Sequence, residues 1–162
     1  MRWHRTALSL LVTICIARAS HAEEAIGDSA ENVIKDWVAT VNKNDPERLL
    51  AFYDASEEME VVVSAGLRYR GYKALQKAYK DAFKEVRHYD SSAREVSARI
   101  LGDSAFVTFE HMFKIQVAAD DSRWQVHIRT TSVLHRSEDK WKIVLEHSSP
   151  IRGVERMTRI EE

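Results

Sequence analysis

WQVHIRTTSVLHRSEDKWKIVLEHSS, residues 124–149, is the stretch whose reading decides the fold. Two runs of alternating apolar and polar residues flank the polar break Ser137-Glu138-Asp139-Lys140, the pattern of two paired antiparallel strands. The length of that break sets which side chains the second strand turns inward. An even loop opposes Leu134 to Ile143 and sends Trp141, Ile143, Leu145 and His147 to the inner face. A three-residue loop, with Asp139 in the left-handed conformation, opposes Ser132 to Val144 and sends Val144, Glu146 and Ser148 inward instead. Trp141 then belongs to the outer face, and in either register it reads as core or interface.

Upstream, the same period of two continues. Residues 105–117 point Ala105, Val107, Phe109, His111, Phe113, Ile115 and Val117 to one face, so His111 is the one polar group on an apolar stripe. Residues 94–100 alternate in the same way, with turns expected at 101–104 and 119–122. Before residue 90 the period is helical. Asp28 with Glu31 forms a candidate capping box ahead of Val33, Ile34, Trp37, Val38 and Val41. Asp45-Pro46-Glu47 opens a short second helix over 46–53, and residues 72–89 read as the longest helix, with Leu75, Tyr79, Ala82 and Val86 inward. A short strand is expected at 59–64 and a turn at 67–70. Helices followed by antiparallel strands form an α+β pattern.

Residues 1–5 are basic, 6–17 apolar, and Ser20-His21-Ala22 offers a small-x-Ala cleavage site. A secretory signal peptide over 1–22 is expected, which makes the protein periplasmic or secreted with no membrane association after cleavage. The only cysteine, Cys15, falls in that segment, so the mature 162 − 22 = 140 residues must fold without a disulfide. Residues 23–27 read as a flexible mature N-terminus, 28–151 as one domain and 152–162 as a charged tail. With 24 basic and 25 acidic residues in no blocks, a nucleic-acid surface is not expected. His111, His127, His135 and His147 lack metal-ligand spacing. No phosphate loop, nucleophile elbow or Cys-His pair is present, so neither metal nor cofactor is expected.

The Phe52-Tyr53-Asp54 end of helix two, Tyr69-Arg70-Gly71 before helix three, Leu101-Gly102-Asp103-Ser104-Ala105, and Trp141-Lys142-Ile143 with His147 and Ser149 carry a resemblance. Taken in order, they resemble the nuclear transport factor 2-like superfamily, in its SnoaL-like and ketosteroid isomerase-like branch, over residue 28 to about 149. The resemblance implies three N-terminal helices packed on the concave face of a curved antiparallel sheet, a cone-shaped α+β barrel. It also implies a small organic molecule in the cone and a homodimer through the convex sheet face. The superfamily's usual three-residue turn favours the second register, with Glu146 and Ser148 inward.

Catalytic members commonly carry a carboxylate near the end of helix two, where this chain has Asp54. As a general base Asp54 needs burial among walls such as Trp37, Tyr53 and Phe109; otherwise it ends helix two in a solvated turn. His111 is the candidate oxyanion or proton partner, or else a neutral buried histidine. Trp37, Tyr53, Phe109, Phe113, Thr130, Ser132, Glu146 and Ser148 are the expected ligand-binding residues. The leading expectation is a ligand-binding protein. A lyase or isomerase-type enzyme and a ligand-free oligomerisation domain are the alternatives.

Overall fold

The computed structural model describes residues 19–161, with side chains over 30–161. Its elements in chain order are α1 (Ala19–Val41), α2 (Pro46–Leu50), β1 (Glu60–Val62), β2 (Arg68–Arg70), α3 (Tyr72–Glu85), β3 (Val86–Leu101), β4 (Ser104–Val117), β5 (Arg123–Ser137), β6 (Lys140–Pro150) and β7 (Met157–Arg159). The strands form one sheet in the order β2-β1-β6-β5-β4-β3, with β7 also on β5. Four long antiparallel strands, β3 to β6, thus carry the helices, as the alternation at 94–149 predicts. Two details of the expected architecture change. The β1–β6 pairing is parallel, so the sheet is mixed. And α3 follows the β1–β2 hairpin, so only two helices precede the first strand. Among the described residues no helix is long and apolar enough to cross a membrane.

The expected signal segment lies mainly at 1–18, outside the described residues. From Ala19 the backbone is helical, which takes 23–27 and Asp28 into α1. Glu31, expected in a capping box, instead accepts from the backbone N–H of Ala98 at 3.0 Å. That amide lies just past a β3 bulge, where the register shifts between Arg94 and Ser97. β3 ends the sheet, and the carboxylate satisfies this backbone donor from α1.

The second helix is shorter than its periodicity suggests, because sheet pairing captures its last residues. Ile143 N–H donates to Phe52 O at 2.9 Å and Asp54 N–H to Ile143 O at 2.9 Å, so 52–54 bridge β6 rather than finish a helix. The third helix likewise stops at Glu85, and the residues expected to continue it open β3, with Val86 facing Val117 and His88 facing Ile115. Helical spacing in this Lys- and Ala-rich run competes with ladder pairing to β4, and pairing wins. The turn expected at 67–70 contains β2, paired to β1. The charged tail contains β7, where Trp124 faces Arg159 and Val126 faces Met157.

In the opening hairpin each expected register holds for half of the strand. Ser137 pairs with Lys140, leaving a two-residue turn of Glu138 (φ 51°) and Asp139 (φ 59°), and Leu134 then faces Ile143. The three-residue loop is therefore overturned. Between Leu134 and Val133 the register shifts, Val133 faces Leu145, and Val144 is the extra residue of a bulge. Beyond it Ser132 faces Glu146, not Val144, and Thr130 faces Ser148. Parity flips at the bulge, so Trp141 and Ile143 are buried in the core, and Glu146 and Ser148 are buried as well. Trp141 is thus not on the outer face, whereas His147 is exposed as the second register required. Both turn residues adopt positive φ, which suits Asn-Gly far better than Glu-Asp. Replacing them together (Glu138→Asn, Asp139→Gly) should raise stability by about 1–2 kcal/mol, seen as a higher urea midpoint at constant slope.

Candidate functional site

Register places the inner face in rows. Glu146 stands between Val61 of β1 and Ser132 of β5, and Ser132 faces Val107 of β4. In the next row Ser148, Thr130 and Phe109 succeed one another, then Ile128, His111 and Ala93. The stripe on β4 and the parity flip in β6 therefore bring Glu146 and His111 to one concave face, covered by α1 and α3.

Glu146 is 5 % exposed, and its carboxylate takes a hydrogen bond at 2.9 Å from the Tyr53 hydroxyl. The Tyr53 hydroxyl lies 2.8 Å from that of Tyr79 on α3. Tyr53 is held there because its backbone bridges Ile143, three residues before Glu146 on β6. Burial pushes the Glu146 carboxyl up to about 7, with the Tyr53 hydrogen bond opposing the shift. Burial, and then the Glu146 carboxylate, hold both phenols well above their usual range. Near neutral pH the cluster has two hydroxyl donors and one carboxyl close to its titration midpoint, an arrangement able to take up or return a proton.

His111, 4 % exposed, lies on the same face, with Nε2 2.8 Å from Ser91 Oγ. Its ring meets Phe113 at 4.6 Å and Trp37 at 5.3 Å between centroids. Burial lowers its pKa to about 3, helped by nearby His88, which burial lowers to about 4. Both imidazoles are neutral at physiological pH and serve as hydrogen-bonding groups, not cations. Ser91 reaches His111 from a second β3 bulge, where Asp90 has φ 52°. Two asparagines at the end of α1 hold that bulge by acting as a strand edge. Asn42 accepts from Ser91 N–H (2.6 Å) and donates to Ser91 O (3.1 Å), and Asn44 does the same at His88, at 2.7 and 2.8 Å.

Between the two polar ends the rings of Trp37, His111, Phe113, His88, Phe83, Tyr79 and Tyr53 follow one another at 4.6–6.2 Å. The face is an aromatic wall with a carboxyl at one end and an imidazole at the other. Thr130 and Ser148 satisfy each other at 2.9 Å. Trp37 Nε1, His88 Nδ1 and Ser132 Oγ are buried with no hydrogen-bond partner among the described residues. Groups of this kind are uncommon in a finished core. No three His, Cys, Asp or Glu side chains converge among the described residues.

Of the ligand-binding residues expected from the sequence, Trp37, Tyr53, Phe109, Thr130, Ser132, Glu146 and Ser148 are buried, and Phe113 is half-buried beside His111. Asp54 is placed differently. It is half-buried just beyond the α2 end, and its described hydrogen bond is made by its backbone. The burial that would raise a carboxyl toward neutrality belongs to Glu146, which the sequence offers only as a ligand-binding residue. Tyr79, His88, Ser91, Asn42 and Asn44 escaped sequence reasoning. His88 and Ser91 lie around a helix end and a bulge that periodicity does not register. Tyr79 carried a usable signal, because a tyrosine on the apolar side of a helix needs a partner for its hydroxyl.

A family model described as SnoaL-like domain matches residues 30–153. No curated protein matches the sequence. Among solved structures, a candidate scytalone dehydratase from Novosphingobium aromaticivorans superposes with a TM-score of 0.73 at 14 % identity, over 84 % of this chain and 99 % of that one. A hexachlorocyclohexane dehydrochlorinase of type 2 gives 0.70 at 11 % identity, over 88 % and 91 %. A nuclear transport factor 2-like protein from Salmonella enterica serovar Typhimurium gives 0.69 at 18 %, over 83 % and 95 %. At these identities the structures speak for the fold alone. The family match spans most of the chain, and the chain belongs to the SnoaL-like domain family.

Proposed function

We propose that this chain is an exported homodimer that binds a small organic molecule against the concave face of its sheet, with Glu146 as the polar anchor. The observation that carries the reading is the buried Glu146–Tyr53–Tyr79 cluster. A fold gains nothing by burying a carboxyl at that cost unless the group has a partner to meet. The unpartnered Ser132 hydroxyl, Trp37 indole N–H and His88 Nδ1 add donors and acceptors to the same face. Export rests on the N-terminal segment. Dimerisation rests on the convex face, where Phe106 and Leu145 are 42 % and 38 % exposed around Val133.

A second reading, a lyase or isomerase-type enzyme, is favoured by the Glu146 carboxyl standing at about 7. Glu146 would exchange the proton, in place of Asp54. Tyr53 and His111–Ser91 would offer hydrogen bonds to developing negative charge. Structural neighbours with dehydratase and dehydrochlorinase names are in keeping with it.

Native mass spectrometry of protein purified from its own host tests the first reading. The expected result is a dimer carrying a discrete small-molecule mass that Glu146→Gln loses and Asp54→Asn keeps. A ligand-free protein whose Glu146→Gln variant is unchanged in every ligand screen overturns it. If a substrate is found, turnover lost in Glu146→Gln and kept in Asp54→Asn establishes the second reading.

A further inference from the structure

On the outside of the fold, between α1, α2 and the β5–β6 turn, lies a hollow of about 460 Å³ bordered by Val33, Arg48, Ala51, Phe52, Asp139, Lys140, Trp141 and Lys142. Its residues divide by chemistry. Val33, Phe52 and Trp141 belong to or pack against the hydrophobic core, and they form an apolar floor. Arg48, Lys140 and Lys142 stand at the rim with one acid, Asp139, so the local balance is three cations against one anion, a net of +2. The whole chain has a net charge of −1, so this is a local concentration of positive charge.

The neighbouring groups leave these cations available. Glu47, the one acid of α2, turns to Lys80 at 2.7 Å. Lys142 donates to Ala51 O at 2.5 Å, which holds its ammonium at the hollow without neutralising it. Among the described residues Arg48 is engaged through its backbone N–H, which donates to Asp45, and no ion pair involves Arg48 or Lys140. Arg136 lies 5.6 Å from the Trp141 ring centroid, but Asp103 already pairs with it at 3.1 Å.

We propose that this hollow is a second binding site, distinct from the concave face, for an organic carboxylate with an apolar body. The body lies on Trp141, Phe52 and Val33, and the carboxylate meets Arg48 and Lys140. The planar guanidinium of Arg48 suits bidentate contact with a carboxylate, and the two lysines supply point charges around it. A neutral apolar molecule would use the floor and leave the cations unused. An inorganic anion would use the rim and leave the floor exposed. The combination selects the amphipathic anion.

The test follows the indole N–H signals of Trp141 and Trp37 by NMR on the full chain during titration with decanoate, with decanol as the neutral counterpart. Trp141 should shift saturably and Trp37 should not, decanol should bind at least tenfold more weakly, and Arg48→Glu with Lys140→Glu should reduce decanoate affinity at least tenfold. Because both positions are exposed, circular dichroism and the urea midpoint of that variant should match the parent. Equal binding of decanol overturns the proposal, as does a shift confined to Trp37. So does a Trp141 shift that follows protein concentration without ligand, which would assign the hollow to a second copy of the chain. Binding to phosphatidylglycerol vesicles with no response to free decanoate assigns it to a membrane surface and likewise overturns it.

Discussion

Trp141→Ala lowers the unfolding free energy by about 3–5 kcal/mol, the range for truncating a large buried aromatic side chain. The indole is 6 % exposed and belongs to the same core as Ile34, Leu50, Tyr53 and Ile143. It stands near the start of β6, just past the two-residue turn, where the strand has only β5 and the bridge at 52–54 to hold it. Removing it leaves a cavity at a junction of α2, β5 and β6 that neither rigid strand can close. Urea titration should show a lower midpoint with an unchanged slope, since the surface exposed on unfolding changes little. A loss below about 1 kcal/mol would mean that the indole is peripheral and that the inner face of the hairpin is assigned wrongly.

That assignment shows what could be read from the sequence and what could not. Alternation over 94–100, 105–117 and 124–149 specified four antiparallel segments, their order and the inner stripe of β4, His111 included. It could not specify the inner face of β6, because simple alternation implies one parity along a whole strand. The chain uses both. The turn is two residues long, as Ser137–Lys140 pairing requires, and the Val144 bulge then reverses the face. Glu146 and Ser148 point inward for a different reason from the one expected, and Trp141 and Ile143 join them. Val144 is an ordinary β-branched strand residue, so nothing in its identity marks the bulge. The bulge near Ser91 is equally silent: Tyr89-Asp90-Ser91 lies at an expected helix end, and its clamp comes from Asn42 and Asn44, more than forty residues earlier. The surroundings of Asp54 are equally hidden: its sequence reads as the end of a helix, whereas 52–54 pair with β6, which turns Tyr53 inward to Glu146 and leaves Asp54 half-buried.

Stability should fall as pH drops below about 6.5, and Glu146→Gln should make that fall about twice as steep. His88 and His111, lowered from 6.5 to about 4 and about 3, stay neutral in the fold while the unfolded chain takes up two protons. Their contribution is present above pH 6.5 and is lost as pH falls toward those folded values. Glu146 has the opposite sign. Its carboxyl is raised from 4.5 to about 7, so its contribution is fully present below pH 4.5 and is lost as pH rises through 7. Between pH 6.5 and 4.5 the three groups leave a net difference of one proton, or about 1.4 kcal/mol per pH unit. With Gln at 146 the two histidines act unopposed and the slope approaches about 2.8 kcal/mol per unit. Above pH 7 the same variant should be more stable than the parent by about 3 kcal/mol, because an amide can accept the Tyr53 hydrogen bond without ionising in a buried site. Urea unfolding of both proteins at pH 5 and pH 8 measures both effects. A variant less stable than the parent at pH 8 would mean that Glu146 is ionised at a net gain, as a structural carboxylate held by Tyr53 and Tyr79. A gain at pH 8 means that the fold carries Glu146 at a cost, and the benefit must then lie in what the carboxyl meets on the concave face.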